Sequence, residues 1–168
     1  MKKIDKIIIG TNNNGKFKEI SHLLPKKINK ISPKELNLSS PKETGNSFEE
    51  NSKIKAKFFS EQVNMICISD DSGLEIDLLS GEPGIFSSRW AGPTNNFNLA
   101  IDKVFRKLND IDPGWSSKNN ISARFFCSLT VYWPNGKLIH SKGEVKGNIT
   151  NIKRGNNGFG YDPIFVPK

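Results

Sequence analysis

Cysteine and histidine are almost missing from this sequence: 168 residues contain two of each. Cys67 and Cys127 both sit inside apolar stretches, MICIS and RFFCSLTVYW, and read as small core residues rather than a disulfide or a metal pair. His22 and His140 have no sequence neighbours that suggest a zinc site or a Cys–His pair. These absences narrow the chemistry: a hydrolase built from this chain takes its base from a carboxylate, with a metal ion doing the electrostatic work. No apolar run reaches the roughly 20 residues that span a bilayer. The opening Met1–Asp5 carries charge without the apolar core of a signal peptide. A soluble cytoplasmic protein with no membrane partner is therefore expected. Linkers, repeats and low-complexity tracts are lacking too, so a single domain over residues 1–168 is expected, long enough to bury a proper core.

What the chain has in excess is positive charge, a formal +8 with its lysines scattered rather than gathered in one arm. That suggests an anionic partner, and on charge alone nucleotide, nucleic acid and plain solubility all stay open. The pattern of elements is clearer. Ile4–Ile9 is a β-branched run that predicts a buried strand. After an Asn/Gly turn, Phe17, Ile20, Leu23 and Leu24 recur at helical spacing until Pro25 stops them. Ser47-Phe48-Glu49-Glu50 fits a capping box that opens a second helix running through Ile54, Ala56 and Phe59. Met65–Ser69 predicts another buried strand, and Leu74–Leu79 an extended one, followed by a turn at Gly81-Glu82-Pro83-Gly84. A third helix is expected over Asn95–Leu108 and a long strand over Ala123–Trp133. A hairpin turn at Pro134-Asn135-Gly136, with the Asn-Gly pair supplying positive φ, leads to a return strand over Leu138–Val145. A glycine-rich loop, Gly155–Gly160, precedes a last strand at Ile164–Val166. Strands mixed with helices, plus a hairpin, predict an α/β fold with a mixed sheet.

Three polar loops offer different parts of a nucleotide site. Gly10-Thr11-Asn12-Asn13-Asn14-Gly15-Lys16 places backbone N–H groups, a glycine and a lysine at a helix N-terminus, the makings of a phosphate cradle. Its spacing imitates a P-loop, but Phe17 stands where that motif needs Ser or Thr for Mg²⁺. Asp70-Asp71-Ser72-Gly73 puts two carboxylates at the end of a buried strand, where they are costly unless something positive joins them. Such oxygen ligands suit Mg²⁺; the bland reading is a solvated turn. Gly158-Phe159-Gly160-Tyr161-Asp162-Pro163 could stack an aromatic on a base and read its ring N–H groups with a carboxylate; the bland reading is a turn with two core aromatics. Ahead of the second helix, Glu43-Thr44-Gly45 could lend a carboxylate to the metal. Phe48, Asn51 and Lys55 then fall at i, i+3 and i+7, near one face; taken alone, that pattern reads as an ordinary exposed face.

TNNNGK, ETGNSFEEN with Lys55 following, SDDSGLEIDLLSGEPGIFSSRWAG, ARFFCSL and GFGYDPIF stand in one order over nearly the whole chain. Together they resemble the inosine triphosphate pyrophosphatase (Ham1-like) family of non-standard purine triphosphatases. The resemblance implies an elongated mixed β-sheet flanked by helices, two lobes with a central active-site cleft, and a homodimer. It implies that Thr11, Asn12, Asn13, Asn14, Gly15 and Lys16 hold the triphosphate and that Asp71 is both Mg²⁺ ligand and proton acceptor. Asp70 would support Asp71, Lys55 would neutralise phosphate charge, and Asn51 and Ser72 would contact substrate. Phe159, Gly160, Tyr161 and Asp162 would form the base pocket, with Phe159 stacking and Asp162 accepting hydrogen bonds. Many bacterial members have two consecutive Glu before Thr-Gly; here Lys42-Glu43 stands there, and Glu43 would be the second metal ligand. Family members also continue into a segment with a Lys and a His-Arg pair that touch phosphate and purine. This chain stops at Lys168, so that segment is expected to be missing from it.

The implied reaction is hydrolysis of ITP, dITP or XTP to the monophosphate and pyrophosphate, cleansing the nucleotide pool. Water activated by Asp71 attacks the α-phosphorus in line, and Mg²⁺, Lys16 and Lys55 neutralise the leaving pyrophosphate. The rival enzyme is a P-loop-like NTPase or kinase acting at the γ-phosphate. The non-enzymatic rivals are a basic nucleic-acid-binding module, which the Asp-Asp pair and the lack of a basic arm argue against, and a truncated chain that only binds nucleotide.

Overall fold

Three β-branched positions in a row leave little choice for the start of the fold: β1, Lys6–Ile9, is buried from Ile7 onward. The computed structural model describes residues 4–118, 121–155 and 157–168. Met1–Lys3 of the charged N-terminus and Asn156 of the expected glycine-rich loop lie outside the described residues. The elements that follow are α1 (Asn14–Leu23), β2 (Asn29–Ile31), α2 (Phe48–Val63), β3 (Cys67–Ile76), α3 (Phe97–Ile111), β4 (Ile121–Tyr132), β5 (Leu138–Ile149) and β6 (Phe165–Pro167), with short 3₁₀ turns between them. The strands hydrogen-bond in the order β2-β1-β3-β4-β5-β6. β1 is parallel to both β2 and β3, while β6 is antiparallel to β5, so the sheet is mixed as expected. No described helix is long and apolar enough to cross a membrane.

Two compact units divide the chain, Met1–Asp71 with Ser128–Lys142, and Ser72–Cys127 with Gly143–Lys168. In the first, α1 and α2 cover opposite faces of the sheet, which alternation along the strands makes possible. Ile7, Ile9 and Ile68 pack with Ile20 and Phe17 of α1. Ile8 and Cys67 pack with Ala56 and Phe59 of α2. Local sequence sets the helix ends. The Asn13 side chain accepts from the Gly15 and Lys16 N–H groups at the start of α1, and Leu24, before Pro25, takes an extended conformation that ends it. Ser47 caps α2 by accepting from the Glu50 N–H. The Glu50 carboxylate reaches back one residue further than the motif predicts, to the Asn46 N–H at 2.7 Å.

The second unit holds the larger apolar core. Ala100, Ile101, Val104 and Leu108 of α3 recur on one face and meet Leu74, Ile76, Ile121, Ala123, Ile149 and Ile164. Removing one such side chain, as in Leu108→Ala, costs about 2–5 kcal/mol.

Three expectations change. Asp70-Asp71-Ser72-Gly73 is not a loop after a strand but the middle of β3. Turn-forming residue types are overridden there because the ladder continues and side chains from α1 and α2 meet both carboxylates. Leu74–Leu79 is extended only to Ile76 and then turns as a 3₁₀ segment. In the hairpin, Gly136 alone of the Asn-Gly pair has positive φ, 85°. The loop closes with the Gly136 N–H on the Trp133 carbonyl and the Trp133 N–H on the Lys137 carbonyl, which is a three-residue connection needing one left-handed residue.

Candidate active site

The parallel pairing of β1 with β3 ends early on one side. β1 stops at Ile9, and Gly10 donates to the Ile68 carbonyl at 2.7 Å before the chain turns into α1. Only glycine fits that turn: a Cβ at Gly10 would lie 2.1 Å from Ser69 Oγ and 2.7 Å from the Phe59 ring. β3 runs on past this point, so Asp70 and Asp71 sit beside the turn that opens α1.

Successive residues of a strand face opposite ways, and the two carboxylates meet different helices. Asp70 lies on the α1 side, with Lys16 Nζ 2.7 Å from its Oδ2. Asp71 lies on the α2 side, where Asn51 Nδ2 donates to its Oδ2 at 3.1 Å and Lys55 Nζ stands 3.6 Å from its Oδ1. Lys55 also contacts Glu43 Oε1 at 2.6 Å. Asn51 is fully buried, and Lys55, Asp70 and Asp71 are nearly so. The expected ordinary exposed face of α2 is therefore corrected: Phe48, Asn51, Ser52 and Lys55 are on its buried side. The physical reason is that each polar atom there finds a partner within the fold, which offsets desolvation.

Burial is the main influence on Asp71 and raises its carboxyl above the ordinary value; Lys55 lowers it, Glu43 raises it further, and Lys16 and the Asn51 hydrogen bond lower it. The balance remains upward.

The turn ahead of α1 is organised by its own side chains. Thr11 is buried and its hydroxyl accepts from the Asn13 N–H at 3.2 Å; Asn12 Nδ2 donates to Ser40 Oγ at 2.8 Å. Asn14 is exposed as the first residue of α1. The N–H groups of Gly15 and Lys16, expected to face phosphate, are taken up by the Asn13 side chain. Phe17 packs into the apolar cluster of β1 and α1, which removes the P-loop comparison. Ser72, half-buried, continues β3.

Phe159–Asp162 belong to the second unit. The Phe159 ring is exposed, whereas Tyr161 is 2% exposed, stacks edge-on against Phe97 and donates to the Ser87 carbonyl at 2.9 Å. That ring is committed to the core. Gly160 has φ 67°, and Asp162 accepts from the Phe159 N–H at 2.9 Å, a tight turn that fixes where Phe159 points. Cys67 is no rival nucleophile, since burial pushes its thiol up to about 12.

Sequence reasoning missed the part played by Gly45. Its N–H donates to Asn51 Oδ1 at 2.8 Å, which orients that amide so that Nδ2 faces Asp71. A Cβ at Gly45 would come within 2.6 Å of Glu50 Cβ and 2.8 Å of Asn51 Oδ1. The available signal was a glycine two residues ahead of the capping serine.

Comparison with known proteins agrees over the whole length. The sequence model of the Ham1 family matches residues 7–168. A dITP/XTP pyrophosphatase of Oceanobacillus iheyensis is 42% identical over 166 residues, 97% of this chain and 82% of the relative. One of Zymomonas mobilis is 40% identical over 162 residues, 96% of this chain and 76% of the relative. A solved HAM1 protein from Coxiella burnetii superposes with a TM-score of 0.82 at 36% identity, covering 95% of this chain and 80% of the other.

Proposed function

The chain belongs to the Ham1 family, and from that membership we propose that it is a nucleoside triphosphate pyrophosphatase acting on non-standard purine nucleotides such as dITP and XTP. The products are the nucleoside monophosphate and pyrophosphate. The observation that carries the reading is Asp71: a buried carboxylate, raised in proton affinity, held by Asn51 and facing Lys55, with Lys16 and Asp70 on the other side of the same strand.

The donor set fits a divalent cation. Glu43 and Asp71 are hard oxygen ligands, the Glu43 charge raises the Asp71 carboxyl, and the Lys55 ammonium already contacts both as a stand-in cation. Two carboxylates suit Mg²⁺, which takes one or two of them and leaves its other positions to water and phosphate. When bound, Mg²⁺ would polarise the phosphate oxygens and offset the charge of the leaving pyrophosphate.

The chain's own residues do the rest. Asp71 accepts the proton of the attacking water, a task suited to a carboxylate whose proton affinity is raised. Lys55 is held in place by Glu43 and neutralises phosphate charge. Lys16, oriented by Asp70 at the start of α1, does the same from the other face, and Thr11–Lys16 line the phosphate end with Asn51 and Ser72. In the second unit, Phe159 offers an exposed ring for stacking on a purine, with Gly160, the Tyr161 backbone and Asp162 shaping the turn beneath it. Discrimination against adenine follows from hydrogen-bond matching, since adenine presents a donor where the 6-oxo base presents an acceptor; guanine shares that edge and is told apart by its 2-amino group. A homodimer working in the cytoplasm completes this reading, with light scattering on the purified protein as the check on its assembly.

The test is product analysis with Mg²⁺ and dITP, XTP, dGTP and ATP in parallel. Pyrophosphate from dITP and XTP, with dGTP and ATP nearly untouched, is the expected result. Orthophosphate instead would move the cleavage to the γ-phosphate and sink the proposal.

A further inference from the structure

A chain of buried hydroxyls next to the site takes no part in the chemistry above. Ser52 follows Asn51 in α2, is fully buried, and donates to the Glu49 carbonyl at 2.9 Å. The same oxygen lies 3.0 Å from Ser128 Oγ and 2.8 Å from Thr130 Oγ1, both fully buried on β4. Ser128 Oγ is in turn 2.8 Å from Nε2 of His140 on β5. The other ring nitrogen, Nδ1, stands 3.9 Å from the Glu49 carboxylate.

Counting protons gives this chain a direction. A hydroxyl has one proton and two lone pairs. Ser52 commits its proton to the Glu49 carbonyl, so it accepts from both Ser128 and Thr130. Ser128 has then directed its proton at Ser52 and accepts from His140, whose Nε2 must carry the hydrogen. The resemblance to a Ser–His–Glu nucleophile therefore fails: the Ser128 hydroxyl is buried, its proton points away from the imidazole, and the imidazole is a donor rather than a base. Neutral and protonated His140 both supply the Nε2–H, so the contact does not need the charge. Nδ1 faces Glu49, which also bonds Lys53 and lies in the field of Lys142.

The network ties α2 to β4 and β5 at the residue adjoining Asn51. A rotation of α2 by about 10° moves a side-chain tip at its periphery by about 1 Å, a displacement that can cost on the order of 10²-fold in rate. We propose that His140, acting through Ser128 and Ser52, is a positioning residue that sets the rotation of α2 and so the aim of Asn51 and Lys55 at Asp71. The proposal rests on the pyrophosphatase reading above for its kinetic readout, and has a second readout that does not.

The experiment compares wild type, His140→Ala and His140→Gln, the glutamine amide being able to replace the Nε2–H. Steady-state hydrolysis of dITP with Mg²⁺ is measured beside hydrogen exchange of the Gly45 amide, which is held by Asn51 Oδ1. In His140→Ala, kcat falls about tenfold with KM within about twofold, the split expected when an interaction felt mainly in the transition state is weakened. The Gly45 amide exchanges faster in the same variant, and His140→Gln restores both quantities to within about twofold of wild type. Ser128→Ala breaks the chain from its other end and reproduces the alanine result, which guards against a folding defect peculiar to one variant. Wild-type kcat and wild-type Gly45 exchange in folded His140→Ala would overturn the proposal, as would a glutamine variant no better than alanine. A wild-type protein that hydrolyses no dITP would count against the pyrophosphatase reading alone, and the Gly45 exchange would still decide the positioning role.

Discussion

Asp70 and Asp71 are neighbours in one strand, yet they occupy two different electrostatic settings. On the α1 face Asp70 lies 2.7 Å from Lys16, close enough for a direct charge-assisted hydrogen bond. On the α2 face Asp71 shares Lys55 with Glu43, and the lysine lies nearer to Glu43. Asp71 thus keeps a buried charge that its surroundings offset only in part, and its proton affinity rises. Adjacent carboxylates need not act as a pair: alternation along β3 gives one to Lys16 of α1 and leaves the other beside Asn51 and Lys55 of α2.

The largest way to test that difference is Asp71→Asn. Turnover of dITP should fall by about 10³-fold or more, the upper part of the range for losing a catalytic proton acceptor, while circular dichroism stays native; normal turnover in this variant would remove Asp71 from the mechanism. Next comes Lys55→Met, which leaves the buried Asp71 and the half-buried Glu43 without the cation they share. An activity loss of about 10²-fold is expected, with stability lowered by about 3 kcal/mol in chemical denaturation, since one partner of a buried ion pair is removed. Asp70→Asn should be milder, about tenfold in kcat/KM, because it acts on the reaction only through the placement of Lys16. If Asp70→Asn matched Asp71→Asn, the distinction between the two faces would collapse.

The smallest effect is on stability against pH, measured in chelator so that no metal competes. The folded carboxyl of Asp71 has a raised pKa, so the native chain binds that proton more tightly than the unfolded chain does. Stability from this group is therefore full below the ordinary carboxylate value and is lost as pH rises through the raised one. Asp71→Asn should flatten the denaturation midpoint across that window. A wild-type midpoint that rises there instead would show that the surroundings favour the charged form.

Much of the site was legible as a set of residue types. Asp71, Lys55, Glu43 and Lys16 all stand out in the sequence alone, and the structure brings the four together in the first unit. Their arrangement was harder to read. Asp, Ser and Gly favour turns, so SDDSG looked like a loop, and the continuation of β3 depends on neighbours elsewhere in the chain. The i, i+3, i+7 spacing of Phe48, Asn51 and Lys55 carries no information about whether that face meets water or another strand. The contacts of Ser52 with Ser128 and His140 with Ser128 depend on β4 and β5 being brought beside α2.

What the sequence determined by itself are the features settled within a few residues: the Asn13 and Ser47 caps, the stop at Pro25 and the single left-handed glycine of the hairpin. Each is a local hydrogen bond or a steric limit that the chain meets wherever it goes. Tertiary structure alone decided which face each carboxylate occupies and which lysine it meets. An ion pair between distant residues is encoded by no local preference, and it forms only once packing of α1 and α2 on opposite faces of the sheet has excluded water and brought the charges together.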